Sequence, residues 1–155
     1  MKIHWKKLLI CLACPLAIGG LGTLFSGGMS SYQTTNQPPL SPPGWIFPIV
    51  WTILYLLVGW ASYRILTSDA PREDRKKALT FYSIQLFLNF LWPIVFFGLE
   101  WHWVAFILLL ALWVMIYLTM HLFGLIDDTA ENLLIPYLLW VTFAGYLNLG
   151  VALLN

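Results

Sequence analysis

Charge is scarce in this chain. Only 10% of its 155 residues are charged while 60% are hydrophobic, against about 25% charged in an ordinary water-soluble domain. Its main solvent is therefore a bilayer. Every acidic residue (Asp69, Glu73, Asp74, Glu100, Asp127, Asp128, Glu131) stands in or beside a connection between apolar runs, and no Lys or Arg lies deep in one. Proton- and ion-coupled transporters carry ionisable groups inside the membrane, so this absence argues against a coupled pump. The net charge is +1, with the basic residues in short clusters at the edges of apolar runs. That leaves no footprint for nucleic acid.

Histidine and cysteine are equally sparse. Of the three histidines, His4 and His102 fall at helix ends and His121 in the last turns of the fourth apolar run. None offers an axial ligand at depth, which argues against a haem cytochrome. No metal-spaced cluster, glycine-rich phosphate loop or Ser-His-Asp set is present, so no catalytic residue, metal site or required cofactor is expected. Cys11 and Cys14 lie inside the first apolar run, where free thiols act as small hydrophobes, and nothing around them gives the C-x-x-C spacing a redox or zinc context.

What the chain does have is apolar length. Five runs cover about 8–25, 45–66, 79–99, 103–125 and 133–154, with a lid loop over about 26–44. Each approaches the ~20 residues needed to cross ~30 Å of hydrocarbon. Backbone amides in lipid must be satisfied within their own segment, so the runs are helices. The fold class is all-α, an integral membrane bundle of five transmembrane helices forming one domain over 1–155, with no room for a separate soluble domain. Lys2, Lys6 and Lys7 followed by an apolar run also resemble a secretory signal, but the run is long enough to span and no convincing cleavage site follows, so it reads as a retained first helix.

The eight basic residues (Lys2, Lys6, Lys7, Arg64, Arg72, Arg75, Lys76, Lys77) mark the N-terminus and the second connection. With five spans these share one side, and the positive-inside rule makes it the cytoplasm. The C-terminus and the proline-rich loop then face outward. Ser41 is placed to cap a second helix that starts at Pro42. Pro48 and Pro93 predict kinks, Pro136 falls near the start of helix five, and Asp128 with Glu131 suggests a capping box there. Gly19, Thr23 and Gly27 form a small-residue stripe, which serves either internal packing or a dimer seam.

Nine Trp, seven Tyr and ten Phe exceed what interfacial belts need, although Trp5, Trp45, Trp101 and Trp103 suit that role. Three stripes share helical faces: Phe47, Trp51 and Tyr55; Gln85, Asn89 and Trp92; Trp140, Ala144 and Asn148. Amides in lipid need partners, so Gln85, Asn89 and Asn148 point into the bundle. The same spacing fits interhelical glue without a ligand, or a ring-lined pocket in which Ala144 leaves volume beside Trp140.

The segments YQTTNQPPLSPPGWIFPIVWTILY from Tyr32 to Tyr55, QLFLNFLW from Gln85 to Trp92 and LLIPYLLWVTFAGYLNL from Leu133 to Leu149 resemble the translocator protein family, also called tryptophan-rich sensory proteins or peripheral-type benzodiazepine receptors. The resemblance spans nearly the whole chain. It implies a homodimer in a membrane that binds porphyrins such as protoporphyrin IX or haem, sterols and benzodiazepine-type drugs between its helices; the short chain, lysine-poor ends and lack of a transit-type presequence point to a bacterial cytoplasmic membrane. The porphyrin is a ligand, for sensing or transport. The pocket positions carried over are Tyr32 and Pro43 in the lid, Trp51, Tyr55, Gln85, Asn89 and Trp92, and Trp140, Phe143, Ala144 and Asn148. Some bacterial members are reported to degrade protoporphyrin IX with light and oxygen, using a loop Trp together with the one matching Trp140. This chain has Leu40 at the loop position, which weakens the expectation of an enzyme. It also carries no basic extension after Asn155 with the sterol-recognition pattern, so high-affinity cholesterol binding is not carried over. A structural or partner-regulating membrane protein is the remaining reading.

Overall fold

The computed structural model describes residues 3–27 and 35–155, and within them the chain contains no strand. Five long helices follow one another: α1 (Trp5–Ser26), α2 (Ile46–Leu66), α3 (Arg72–Pro93), α4 (His102–Gly124) and α5 (Asp128–Leu154). All five are long and apolar enough to cross a membrane. The all-α, five-span integral membrane architecture expected from the sequence is the one that forms. Helix α5 lies against α4 and α2, α1 against α2 and α3, and α3 against α4.

Helix limits depart from the apolar runs where polar turns extend beyond the hydrocarbon. α3 starts at Arg72 rather than Leu79, with Glu73 and Asp74 in its first turn, where acidic side chains complement the helix dipole. α5 starts at Asp128 rather than Leu133. Its cap is Asp127, whose carboxylate accepts from the Thr129 backbone N–H at 2.9 Å, so the expected Asp128–Glu131 capping box is displaced by one residue. Ser41 does not cap α2. Its hydroxyl donates to the Pro38 carbonyl at 2.7 Å, and the helix begins only at Ile46.

The prolines act unequally. Pro48 sits in the first turn of α2, where a missing N–H removes no helical bond, so the kink expected there has no cause. Pro136 lies well inside α5 instead of near its start. Pro93 ends α3, and the chain continues as a π-helical turn over Ile94–Gly98, in which the Leu99 N–H donates to the Ile94 carbonyl at 2.9 Å. Pro15 lies inside α1, so the Cys11 carbonyl one turn earlier has no helical donor.

The two ends of the bundle are built differently. At the end carrying the basic residues, the Arg64 guanidinium donates to both Asp127 oxygens, at 2.6 and 3.4 Å. The His4 backbone N–H donates to the Tyr63 hydroxyl at 2.8 Å, and Arg75 donates to the Leu66 carbonyl at 3.1 Å. Beneath these ties lie fully buried side chains, among them Ile65, Phe123, Leu134 and Tyr137. Gly59 lets α2 meet the backbone of α1 at Cys11 and Leu12, where a Cβ would collide with both. At the opposite end the loop is tied to α5: the Tyr146 hydroxyl donates to the Pro39 carbonyl at 2.5 Å, the Pro38 ring lies on Gly150, and Asn155 donates to the Asn36 carbonyl at 2.9 Å. Trp5, Trp45, Trp101 and Trp103 are all exposed near helix ends, as belt anchors require.

Candidate functional site

Beneath that loop a cavity of about 320 Å³ opens between α1, α2, α3 and α5. Its walls are rings: Phe47 and Trp51 from α2, Trp92 from α3, Phe96 and Phe97 from the π-helical turn, and Trp140 from α5. Trp51 stacks on Tyr55 with centroids 5.5 Å apart and meets Trp140 edge-on at 6.4 Å. Trp140 is also edge-on to Phe47 at 5.9 Å. Trp92 stacks on Phe96 at 4.9 Å. Ala144 lies on the wall beside Asn148, where a small side chain leaves volume next to the rings. Among the described residues, no Asp, Glu, Lys, Arg or His lines the cavity.

Polar groups at the wall are held in two hydrogen-bonded chains. In the first, the Tyr55 hydroxyl donates to the Asn89 carbonyl oxygen at 3.0 Å, the Asn89 amide donates to the Tyr137 hydroxyl at 2.6 Å, and Tyr137 donates to Gln85 at 2.7 Å. In the second, the Trp92 indole N–H donates to Asn148 at 3.0 Å, and the Asn148 amide donates to the His102 carbonyl at 2.8 Å. Buried polar groups in a low-dielectric interior are costly unless paired, so these chains fix Asn89, Asn148 and Trp92 in place. Two polar groups of the predicted set are left over. The Trp140 indole N–H and the Gln85 amide nitrogen are buried without a hydrogen-bond partner among the described residues.

Of the residues singled out in the sequence, Phe47, Trp51, Tyr55, Asn89, Trp92, Trp140, Ala144 and Asn148 line the cavity together. Three others do not. Gln85 lies behind Tyr137, fully buried and one link removed from the wall. Phe143 is turned along α5, packing its ring between Trp140 and Tyr146. Pro43 lies in the approach to α2, where its carbonyl accepts from the Ile46 N–H at 3.0 Å. Tyr32 lies outside the described residues. Leu40 is 84% exposed with a φ of 69° and is absent from the wall.

The sequence reading missed the contribution of α1, where Leu16, Gly19, Gly20, Thr23 and Ser26 reach the cavity, and that of Phe96 and Phe97. The small-residue stripe was the available signal for α1. Gly19 is where the Tyr55 ring rests against the helix, in the space a Cβ would occupy, so at this position the stripe serves internal packing. Gly27 ends α1 in a left-handed conformation, with φ of 79°. Pro93 followed at once by a pair of Phe was the available signal for the π-helical turn.

Away from the membrane-spanning segments, one carboxyl is tuned. Burial pushes the Asp127 carboxyl up, but the Arg64 guanidinium and the backbone N–H groups of Thr129 and Ala130 outweigh it and hold the group below the usual carboxylate range.

The sequence is similar to those of known proteins along nearly its whole length. A tryptophan-rich protein TspO of Chlorobaculum tepidum is 37% identical over 96% of this chain and 95% of its own length. The tryptophan-rich sensory protein of Cereibacter sphaeroides is 36% identical over 100% of the chain and 95% of its own. The translocator protein of Ovis aries is 35% identical over 96% and 89%. The family model for TspO/MBR matches residues 11–154. A five-span bundle with this aromatic wall, and relatives that align along nearly all of it, make the chain a member of the TspO/MBR family.

Proposed function

We propose that this protein binds a flat, largely apolar amphiphile inside its bundle, and that the ligand class is a tetrapyrrole such as protoporphyrin IX or haem, held for sensing or transport. The observation that carries this reading is the ring-walled, uncharged cavity with one unpaired indole N–H, that of Trp140. Rings that meet edge-on and stacked offer faces to a macrocycle, and the unpaired N–H is a donor for an acceptor on the ligand. The volume lies at the low end for ligand sites, so a complete tetrapyrrole extends beyond it. With no cation on the wall among the described residues, the propionates belong outside, toward the loop and water. Sterols and benzodiazepine-type drugs fit the same apolar wall and compete for it.

Titration of the purified protein with protoporphyrin IX in the dark tests the reading: saturable quenching of Trp fluorescence is expected. No saturable interaction with tetrapyrrole, sterol or family drug would overturn it and leave a structural or partner-regulating role. One observation favours a second reading, light- and oxygen-dependent porphyrin degradation: Trp140 and Trp51 meet within 6.4 Å on the same wall. New absorbing products under illumination that vanish in Trp140→Phe would support it.

The positive-inside rule supports an orientation, because the N-terminus joins the end of α2 through His4 and Tyr63. Lys6, Lys7, Arg64 and the start of α3 gather there. We assign this end to the cytoplasm of a bacterial cell, and the functional unit to a homodimer in the cytoplasmic membrane. Labelling engineered cysteines at the two termini from each side tests the orientation, and finding both on the same side would overturn it.

A further inference from the structure

The cavity also breaks the side of the bundle. Gly20 and Thr23 of α1 and Pro48 and Thr52 of α2 all line it, yet all four are exposed. The wall residues of α3 and α5, Asn89, Trp92, Ala144 and Asn148, are buried. The opening therefore lies between α1 and α2.

The geometry of the two helices accounts for it. In the half toward the basic end they touch backbone to backbone at Gly59, Cys11 and Leu12. Toward the loop end the approach is looser: a Cβ on Gly20 would meet nothing within 4 Å, while at Gly19 it is the Tyr55 ring, not the α2 backbone, that reaches α1. Pro15 stands between the two regions, where the helical bond to the Cys11 carbonyl is lost and the helix is free to turn away. The chemistry of the rim suits hydrocarbon. The Thr52 hydroxyl donates to the Pro48 carbonyl at 2.7 Å, and the Thr23 hydroxyl donates to the Gly19 carbonyl at 3.1 Å. Both are used up on their own helices, so the rim offers no free donor. Beyond it stand Leu21, Leu24, Ile49 and Ile53, all exposed on the outer surface.

We propose that the gap between the loop-end halves of α1 and α2, framed by Gly20 and Thr52, is a lateral portal through which the cavity exchanges an apolar ligand with the acyl-chain region of the bilayer. The inference rests on the reading that the cavity holds a ligand, and it adds where that ligand comes from. A molecule dissolved in lipid reaches the rings without crossing water, and its apolar edge passes a rim whose hydroxyl protons are already engaged on their own helices.

Chemical labelling of the cavity tests the route without a tetrapyrrole. In protein carrying Cys11→Ala and Cys14→Ala, Ala144→Cys places a single thiol on the cavity wall. The protein is held in phosphatidylcholine nanodiscs whose lipid contains N-(1-pyrenyl)maleimide, and the labelling rate is followed. Adding Gly20→Phe is expected to slow labelling about tenfold. Thr52→Phe acts from the opposite rim and should do the same, so the test survives if one variant misfolds. Leu110→Phe, on the exposed face of α4 and absent from the cavity wall, should leave the rate unchanged. Labelling that proceeds at the parent rate in both rim variants, or that slows equally with Leu110→Phe, would overturn the portal. Failure of tetrapyrrole, sterol and family drug alike to bind saturably would instead overturn the ligand reading, while the labelling result stands by itself.

Discussion

The two halves of this bundle are built from the same kinds of residue, yet one is solid and the other hollow. Toward the basic end, Gly59 brings α2 onto the backbone of α1 and fully buried side chains, aliphatic and aromatic, close the centre. Toward the loop end Gly22 still meets the α3 backbone at Phe90, but at Gly19 α1 faces a ring and at Gly20 open space, and aromatic side chains stand around a void. A glycine thus closes an interface only where a second backbone comes to meet it. In lipid, where apolar side chains gain little by leaving their solvent, close backbone approach supplies much of the adhesion. The hollow half is instead held by hydrogen-bonded amides and edge-on rings.

That contrast predicts unequal responses. Gly59→Leu should be the most damaging substitution, since the new side chain meets the α1 backbone, which cannot yield as a side chain can. A loss of about 3 kcal/mol or more is expected, read as a large fall in thermal stability in detergent, whereas Gly20→Leu should change the melting temperature little. Equal effects at the two glycines would erase the distinction between the halves. Asn89→Leu should come next, at about 1–3 kcal/mol, because it strips the partners from Tyr55 and Tyr137 together. Its melting temperature compared with that of Gln85→Leu, which removes one link only, sharpens the assignment.

Ala144→Leu should act on binding more than on folding. It fills part of the void, and we expect about a tenfold weaker dark titration with protoporphyrin IX (~1.4 kcal/mol) in a protein that still unfolds cooperatively. Unchanged affinity would remove the ligand from this wall. The smallest effect belongs to the ion pair at the basic end. Arg64 and Asp127 are partly exposed, with side chains 28% and 18% accessible, so screening limits the pair to about 1 kcal/mol or less. The Asp127 carboxyl is held below its ordinary value, so its contribution is present above the unfolded-state value of about 3.9 and is lost as the pH falls through the depressed one. Thermal melts from neutral to acidic pH should show a drop in the parent that is smaller in Asp127→Asn.

The spans were legible because hydrocarbon demands length and apolarity, and both are written in composition. Their ends were less so: the charged first turns of α3 and the cap at Asp127 are helical for reasons hydropathy does not register. Within the site, Trp51, Asn89, Trp140 and Asn148 stood out because rings and amides at helical spacing contrast with Leu and Val. Helix α1 gave no such contrast. One of its faces meets lipid and the other the cavity, both apolar, so Gly20 could not be told from a packing glycine until the position of α2 was known. Phe96 and Phe97 were hidden by geometry, since a π-helical turn shifts side chains off the register that a uniform helix assigns them. Gln85 shares the face of Asn89 and Trp92, but the Tyr137 ring from a neighbouring helix stands in front of it, a fact no single-helix pattern contains.

The chain of bonds from Tyr55 through Asn89 and Tyr137 to Gln85 has a sense as well as a membership. Each donor points the same way, from the cavity wall toward the interior, so the oxygen of Tyr55 is left at the near end as an acceptor and the amide of Gln85 at the far end as a donor. Aligned bonds polarise one another. A guest that gives a proton to Tyr55, as a pyrrole N–H can, strengthens every link behind it, whereas one that presents a lone pair there requires the Asn89 amide to turn over and the whole row to reverse. The unpaired N–H of Trp140 asks for the opposite kind of atom. Under the proposed binding role, a flat molecule would therefore meet different atoms at its two edges, which would fix which way round it lies before any charge is involved.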